Sequence, residues 1–115
     1  MNPQKLAQLQ RLQQFSCFVE ISHENLTASQ LLLLATIAEE PGLPQRELAE
    51  RIGRSAGAIS RSVDTLGTSG RRGSKAPGLG WITIKSDPAD DRTKRVYLTD
   101  AGETAVSAML GMLWP

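Results

Sequence analysis

The chain has 115 residues, a net charge of +1, 40% hydrophobic residues and one cysteine. This length and hydrophobic content predict one domain with a modest core, and a single cysteine excludes an internal disulfide. No apolar run approaches the roughly 18 residues of a membrane span, and the polar N-terminus is unlike a secretory signal, so we expect a cytoplasmic protein without a membrane partner.

The charges are distributed unevenly along the chain. Residues 53–98 contain nine Lys and Arg against four Asp, a net charge of +5, whereas residues 1–52 and 99–115 each have a net charge of −2. A basic middle between acidic flanks favours a localised surface for a polyanion. The alternative is an uneven but merely solvated surface.

The first predicted helix spans residues 3–21, because apolar side chains such as Leu6, Leu9 and Phe15 recur at spacings of three and four. Its apolar stripe is broad for a helix at the end of a small domain. We therefore expect part of it to pack on a second subunit, with an ordinary core helix as the alternative.

The second predicted helix begins after Thr27, which forms a T-x-x-Q capping box with Gln30. Residues 31–37 are almost wholly apolar, which predicts a central place in the core. Pro41-Gly42 is expected to end this helix.

Two further helices are predicted on either side of Gly53. The first runs from Pro44 or Gln45 to Ile52, and Pro44 suits its first position. The second is capped by Ser55 and spans residues 56–69, with one apolar stripe facing inward. Two short helices joined by a glycine turn are typical of a helix-turn-helix.

A basic loop and a β-hairpin complete the predicted fold. Residues 70–80 contain glycines, a proline and three cations, which excludes regular structure there. Residues 81–84 and 95–98 have strand composition, so residues 81–98 are predicted as a hairpin whose charged tip, residues 85–94, is long. Thr99 is expected to cap a last helix that reaches about Leu113.

The fold class is therefore mostly α with a small β-hairpin wing: a winged helix-turn-helix flanked by an N-terminal and a C-terminal helix. A basic hairpin directly after the second helix of such a pair favours double-stranded DNA as the partner. The outer face of that helix has short side chains that suit the roughly 12 Å major groove, and its N-terminus favours phosphate. The residues expected to bind DNA from this region are Arg54, Ser55, Ala56, Gly57, Ser60 and Arg61.

Four segments resemble the multiple-antibiotic-resistance regulator (MarR) family. Residues 48–53 (LAERIG) and 59–66 (ISRSVDTL) are similar to its helix-turn-helix. Residues 87–94 (DPADDRTK) resemble its wing motif D-P-x-D-x-R, and residues 98–102 (LTDAG) resemble the L-T-x-x-G that follows the wing. The wing motif and the L-T-x-x-G are the specific part of this resemblance.

The resemblance implies a homodimeric regulator whose recognition helices occupy successive major grooves. Its wing would place Arg92 in the minor groove, whose negative potential attracts arginine, with Lys94 beside it. A structural pair between Arg92 and the neighbouring aspartates is the alternative. Dimer contacts are expected from residues 1–21 and 100–114. A small-molecule effector, which in the family binds between the dimer arms and the DNA domain, remains open.

Two features depart from the family's usual pattern. The basic loop replaces a short Gly-Leu link, and its cations Arg71, Arg72 and Lys75 either contact phosphate, which we favour, or have no role. The long C-terminal dimerisation helices are largely missing after residue 113.

The remaining candidate sites have simpler interpretations. Cys17 lies beside Phe15, Phe18 and Val19, which predicts a buried, inert thiol; a redox sensor, as in some similar regulators, is the alternative. No spacing of Cys and His suits zinc, and no motif indicates a cofactor or an enzyme.

The sequence thus predicts a sequence-specific DNA-binding transcriptional regulator, most simply a repressor, associated with the nucleoid and without catalytic activity. Two alternatives remain: a winged helix of plasmid or phage replication or partition, and a protein-interaction module.

Overall fold

The computed structural model describes residues 1–22, 26–67 and 78–115. The predicted five helices and the hairpin are present, together with one strand that sequence reasoning missed. In chain order the elements are α1 (Pro3–Ser22), α2 (Ala28–Glu39), β1 (Leu43–Pro44), α3 (Gln45–Ile52), α4 (Ala56–Leu66), β2 (Ile82–Asp87), β3 (Asp90–Leu98) and α5 (Asp100–Leu113).

Side-chain caps fix the starts of three helices. Thr27 Oγ1 accepts from the backbone N–H of Gln30, and Gln30 Oε1 accepts from the N–H of Thr27, which completes the predicted capping box. Ser55 Oγ accepts from the N–H of Ala58 at the start of α4, and Thr99 caps α5 in the same way. These bonds satisfy N–H groups that have no partner within a helix.

The core lies between the helices and the inner face of the sheet. Its fully buried side chains come from α2, α3, α4, β2 and β3: Leu33, Leu34, Ile37, Leu48, Leu66, Ile82 and Val96. The antiparallel sheet has the order β1-β3-β2, so Val96 on the central strand pairs with Leu43 on one side and Ile84 on the other.

Helix α3 begins at Gln45, one of its two predicted starts, because Pro44 is its N-cap and pairs with Arg95 in the sheet. Two other predicted boundaries were wrong. Helix α4 ends at Leu66 because Gly67 is extended, with φ −85° and ψ −160°, whereas a helix to Ser69 was predicted. The hairpin tip is only Pro88-Ala89, because cross-strand pairing extends both strands through most of the predicted polar loop.

The backbone of Gly80 and Trp81 joins the wing to two helices. The N–H groups of Gly80 and Trp81 donate to the carbonyls of Gly67 and Leu66 at the end of α4, at 2.9 and 2.8 Å. Thr99, the α5 cap, donates from its hydroxyl to the Gly80 carbonyl at 2.6 Å and from its N–H to the Trp81 carbonyl at 2.9 Å. We call this set of bonds the wing junction.

Gly102 lets α5 approach the wing junction. A Cβ atom at this position would overlap the carbonyl oxygen of Trp81, so only glycine permits the observed contact. The L-T-x-x-G segment therefore has a packing function: its threonine caps α5, and its glycine admits the Trp81 backbone.

Helix α1 contacts the rest of the chain chiefly through α5, and it has no fully buried residue. Phe15, Phe18 and Val19 pack partly against the core, but Cys17 is exposed. The prediction of a buried thiol was wrong because each residue advances about 100° around a helix. Cys17 therefore points away from Phe15 and Val19, two positions before and after it.

None of the helices in the described ranges has the length and apolar content needed to cross a membrane.

Replacing Gly102 with alanine should destabilise the fold, because the added methyl group must displace the Trp81 backbone. We expect a loss of roughly 1–3 kcal/mol in the free energy of unfolding, measured by denaturant titration.

Gly111→Ala is the matched control on the same helix, since a Cβ there meets no atom within 4 Å. It should leave stability unchanged or raise it by about 0.5–1 kcal/mol, the helix preference of alanine over glycine. Equal effects of the two substitutions would contradict the role assigned to Gly102.

Candidate nucleic-acid interface

The first two turns of α4 present small and polar groups to solvent. Ser55, Ala56, Gly57 and Arg61 are exposed, and Ser60 is half-buried. The apolar stripe on the opposite face is buried through Ile59, Val63 and Leu66, which seats the helix on the core. The structure thus brings the predicted recognition residues together on one outer face of α4.

Arg61 lies over the small surface made by Gly57. A Cβ atom on Gly57 would be 3.5 Å from Arg61 Nη1, so the guanidinium lies against the surface of the helix. The N–H groups of Ala56 and Gly57 belong to the first turn, where helix geometry supplies no carbonyl partner. They can donate to an anion at this end of α4.

Arg54 lies at the turn between α3 and α4 and is fixed by a contact that sequence reasoning did not predict. Its Nη2 and Nε donate to Ser29 Oγ at 3.0 and 3.3 Å. Ser29 is in the first turn of α2, so this pair connects the α3–α4 turn to the start of α2. Gly53 permits the turn itself, with φ +74°.

Arg92 projects from an irregularity in the wing. Ser86 pairs with Lys94, but the next residue of β2, Asp87, pairs with Asp90. Residues 91–93 are therefore extra residues on β3, a bulge that turns side chains out of the ladder. The Arg92 side chain is 96% exposed.

Asp90 shapes this bulge. Its Oδ1 accepts from the backbone N–H of Arg92 at 3.0 Å, and its Oδ2 accepts from Thr93 Oγ1 at 3.3 Å. The Arg92 Nε lies 3.7 Å from Asp90 Oδ1, a long ion pair between exposed groups that contributes little. Asp90 thus orients the backbone of Arg92 and leaves its guanidinium accessible.

Asp87 stabilises the hairpin turn. Its Oδ1 accepts from the N–H of Ala89 at 2.9 Å, and its Oδ2 accepts from Nη2 and Nε of Arg95 at 2.8 and 3.0 Å. The Ala89 N–H and the Arg95 guanidinium, in that order, hold the pKa of Asp87 below its ordinary value. The carboxylate therefore stays ionised at neutral pH.

Arg95 is the functional candidate that sequence reasoning missed. Its Nη1 donates to the carbonyl of Gly42 at 2.8 Å while its other nitrogens bind Asp87. In the sequence it is one of several cations in the hairpin, and no local signal identifies a partner 53 residues away.

The remaining predicted site residues have different positions. Lys94 is exposed on β3 beside the bulge, at the same end of the wing as Arg92. Arg71, Arg72 and Lys75 lie outside the described residues. Within the described ranges, no group of three His, Cys, Asp or Glu side chains could hold a metal ion.

Comparison with known proteins supports the resemblance noted in the sequence. Residues 24–70, which include the helix-turn-helix, match the sequence model of the MarR family. No curated protein sequence matches the chain.

Several solved structures share the fold along nearly the whole chain. MarR is 28% identical, with a TM-score of 0.64 over 96% of this chain and 75% of its own. The PcaV transcriptional regulator from Streptomyces coelicolor is 26% identical, with a TM-score of 0.65 over 98% and 76%. The DNA complex of MepR from S. aureus is 22% identical, with a TM-score of 0.64 over 95% and 74%, a likeness of fold alone.

The helix-turn-helix matches the sequence model of the MarR family, and the fold agrees through the wing and both flanking helices. The chain therefore has a winged helix-turn-helix fold similar to that of MarR and PcaV.

Proposed function

We propose that the chain is a sequence-specific double-stranded-DNA-binding transcriptional regulator that acts as a repressor. The observation that carries this proposal is the wing tip, where a bulge held by Asp90 presents the accessible guanidinium of Arg92. MepR and AbfR, two structural relatives, have been solved bound to DNA. The polar outer face of α4 supplies the second contact surface.

Helix α4 would enter the major groove by its N-terminal half. Small residues at Ala56 and Gly57 allow the backbone to approach the DNA, and their N–H groups can donate to a phosphate. Arg61 and Ser60, one turn further along, would contact base edges. Arg54, fixed on Ser29, would contact the backbone beside them.

The wing would contact the minor groove next to the site of α4. Narrow A·T-rich minor grooves concentrate negative potential and attract arginine, and Arg92 has the exposure this contact needs. Lys94, on the same arm of the hairpin, would bind phosphate. The cations Arg71, Arg72 and Lys75 are proposed as further phosphate contacts.

We propose that α1 and α5 also form the interface of a homodimer. Their exposed apolar side chains include Leu6, Leu12, Leu110 and Trp114, which are 47, 53, 51 and 72% exposed. Large apolar surfaces on two helices that pack together are typical of a subunit interface. Dimerisation would place two copies of α4 on a palindromic site.

A duplex-binding regulator acts at the chromosome, so we propose that the protein is located in the cytoplasm and on the nucleoid and has no catalytic activity. PcaV has been solved in complex with its natural ligand, and a small-molecule effector is proposed here on that basis.

A winged helix of plasmid or phage replication or partition is the alternative function. Such a protein would bind repeated direct sites instead of one palindromic site.

Selection of bound sequences from random duplex DNA tests the function directly. We expect a palindromic site whose half-sites are about one helical turn apart and an affinity that falls steeply as salt rises. Weak binding that does not depend on salt would instead support a protein-interaction module.

Arg92→Ala should weaken binding to the selected duplex by roughly 1–3 kcal/mol, because the minor-groove contact is lost. The measurement is a fluorescence anisotropy titration at fixed salt. Lys5→Ala is the control, since it removes one positive charge from the start of α1, away from the proposed DNA-binding surface; light scattering checks that it keeps the oligomeric state of the parent. Unchanged affinity for Arg92→Ala, or an equal loss for Lys5→Ala, would contradict the minor-groove contact.

Leu12→Glu and Leu110→Glu should each convert a dimer into a monomer, because both place a charge on the proposed interface. Both side chains are half-exposed in one chain, so neither substitution should unfold it. Light scattering should give twice the 12.5 kDa of one chain for the parent and one chain for each variant.

Gln14→Glu is the control for these variants, because it adds the same charge about 200° around α1 from Leu12. It should remain dimeric. A parent chain that is itself monomeric would rule out the interface.

A further inference from the structure

We propose that Arg95 is a positioning residue that fixes the wing relative to the helix-turn-helix and so places Arg92 for DNA binding. This role rests on the proposed function, but Arg95 itself need not touch DNA. We call the contacts of Arg95 with Asp87 and Gly42 the Arg95 clamp.

The Arg95 clamp joins two parts of the chain through one side chain. One edge of its guanidinium binds Asp87 Oδ2 through Nε and Nη2, at 3.0 and 2.8 Å. The remaining nitrogen, Nη1, donates to the Gly42 carbonyl at 2.8 Å. Gly42 lies in the loop between α2 and α3, and Asp87 forms the hairpin turn.

The position of Arg95 coincides with the end of the third strand. Strand β1 pairs only with Val96 and Arg95 of β3, so the sheet has three strands at these two residues and only two from Lys94 to the wing tip. A two-stranded ribbon is marginally stable by itself, and here its ladder is interrupted by the bulge after Ser86–Lys94. The end of the wing that contains Arg92 therefore needs support from another contact.

The Arg95 clamp supplies that support from both directions. Towards the core, the N–H of Gly42 donates to the Val96 carbonyl at 2.9 Å, which fixes the α2–α3 loop to β3. Towards the tip, Asp87 also accepts from the N–H of Ala89 in the turn. Asp90, which pairs with Asp87 across the hairpin, accepts from the backbone N–H of Arg92. Side-chain hydrogen bonds and the Asp87–Asp90 strand pair thus connect the loop before α3 to Arg92.

The neighbouring side chains reinforce the same face of the hairpin. Lys85, which pairs with Arg95 across the sheet, has its Nζ 5.0 Å from the centre of the Tyr97 ring. The Tyr97 hydroxyl lies against Gly42, where a Cβ would approach it to 3.0 Å. Gly42, with φ +87°, leaves room for the Tyr97 ring because it has no side chain.

The Arg95→Lys substitution tests this role because it retains the positive charge. A lysine ammonium is a point charge and cannot reproduce the fork that binds Asp87 and Gly42 together. The experiment is a double-mutant cycle with Arg92→Ala, measured by duplex titration at fixed salt.

We expect Arg92→Ala to weaken binding about tenfold or more in the parent protein and less than about threefold in the Arg95→Lys protein. The effect of Arg61→Ala on α4 should be the same in both backgrounds, which separates a wing effect from general damage. Equal effects of Arg92→Ala in both backgrounds, or no effect in the parent, would overturn the proposal.

Backbone ¹⁵N relaxation gives a second measurement that needs no DNA. In Arg95→Lys we expect the order parameters of the Ala89 and Arg92 amides to fall from the rigid value of about 0.85 towards 0.6, with Ile84 and Val96 unchanged. If the parent binds no duplex, the proposed function fails while this measurement still decides the structural role. Unchanged order parameters would overturn it.

Discussion

The wing junction is the contact on which the rest of this structure depends. The backbone of Gly80 and Trp81 is hydrogen-bonded to the end of α4 on one side and to Thr99 on the other. These hydrogen bonds join backbone groups to each other and to the Thr99 cap. They therefore fix both the distance and the orientation of the wing relative to α4 and α5. Trp81 and Ile82 then bury their side chains in the same core as α4, so the helix and the base of the wing form one unit.

Rigidity along the wing has two separate sources. Its base is held by the wing junction and by the apolar core, which includes the buried Val96. Its tip extends beyond the core and depends on polar contacts, those of Asp87, Asp90 and Arg95. This division explains the composition of the D-P-x-D segment: one aspartate closes the turn and binds Arg95, and the other shapes the bulge.

Much of this architecture could be predicted from the sequence because its signals are local. Thr27 with Gln30, Ser55 and Thr99 are caps within three residues of their partners, and the apolar stripe of α4 follows the helical period. Strand β1 could not be predicted, since Leu43-Pro44 becomes a strand only by pairing with β3. The exposure of Cys17 was missed because residues adjacent in sequence were taken as neighbours in space, whereas the helical period turns Cys17 away from Phe15 and Val19.

The candidate site also has parts that the sequence predicts and parts that it does not. The wing motif predicts Arg92 as a contact residue, and the helical period predicts the outer face of α4. The contacts of Arg54 with Ser29 and of Arg95 with Gly42 span 25 and 53 residues, and only the folded chain brings these groups together.

The bonds from Gly80 to Gly67 and from Leu79 to Thr65, at 2.9 and 3.1 Å, have a consequence for evolution of the chain. These bonds hold together the two ends of the segment that connects α4 to the wing. The relative position of α4 and the wing therefore does not depend on the length of this segment. Doubling the length of a closed loop costs only about 0.6 kcal/mol in chain entropy. Insertions or deletions in this segment can therefore accumulate between related proteins while the recognition helix and the wing keep their relative positions.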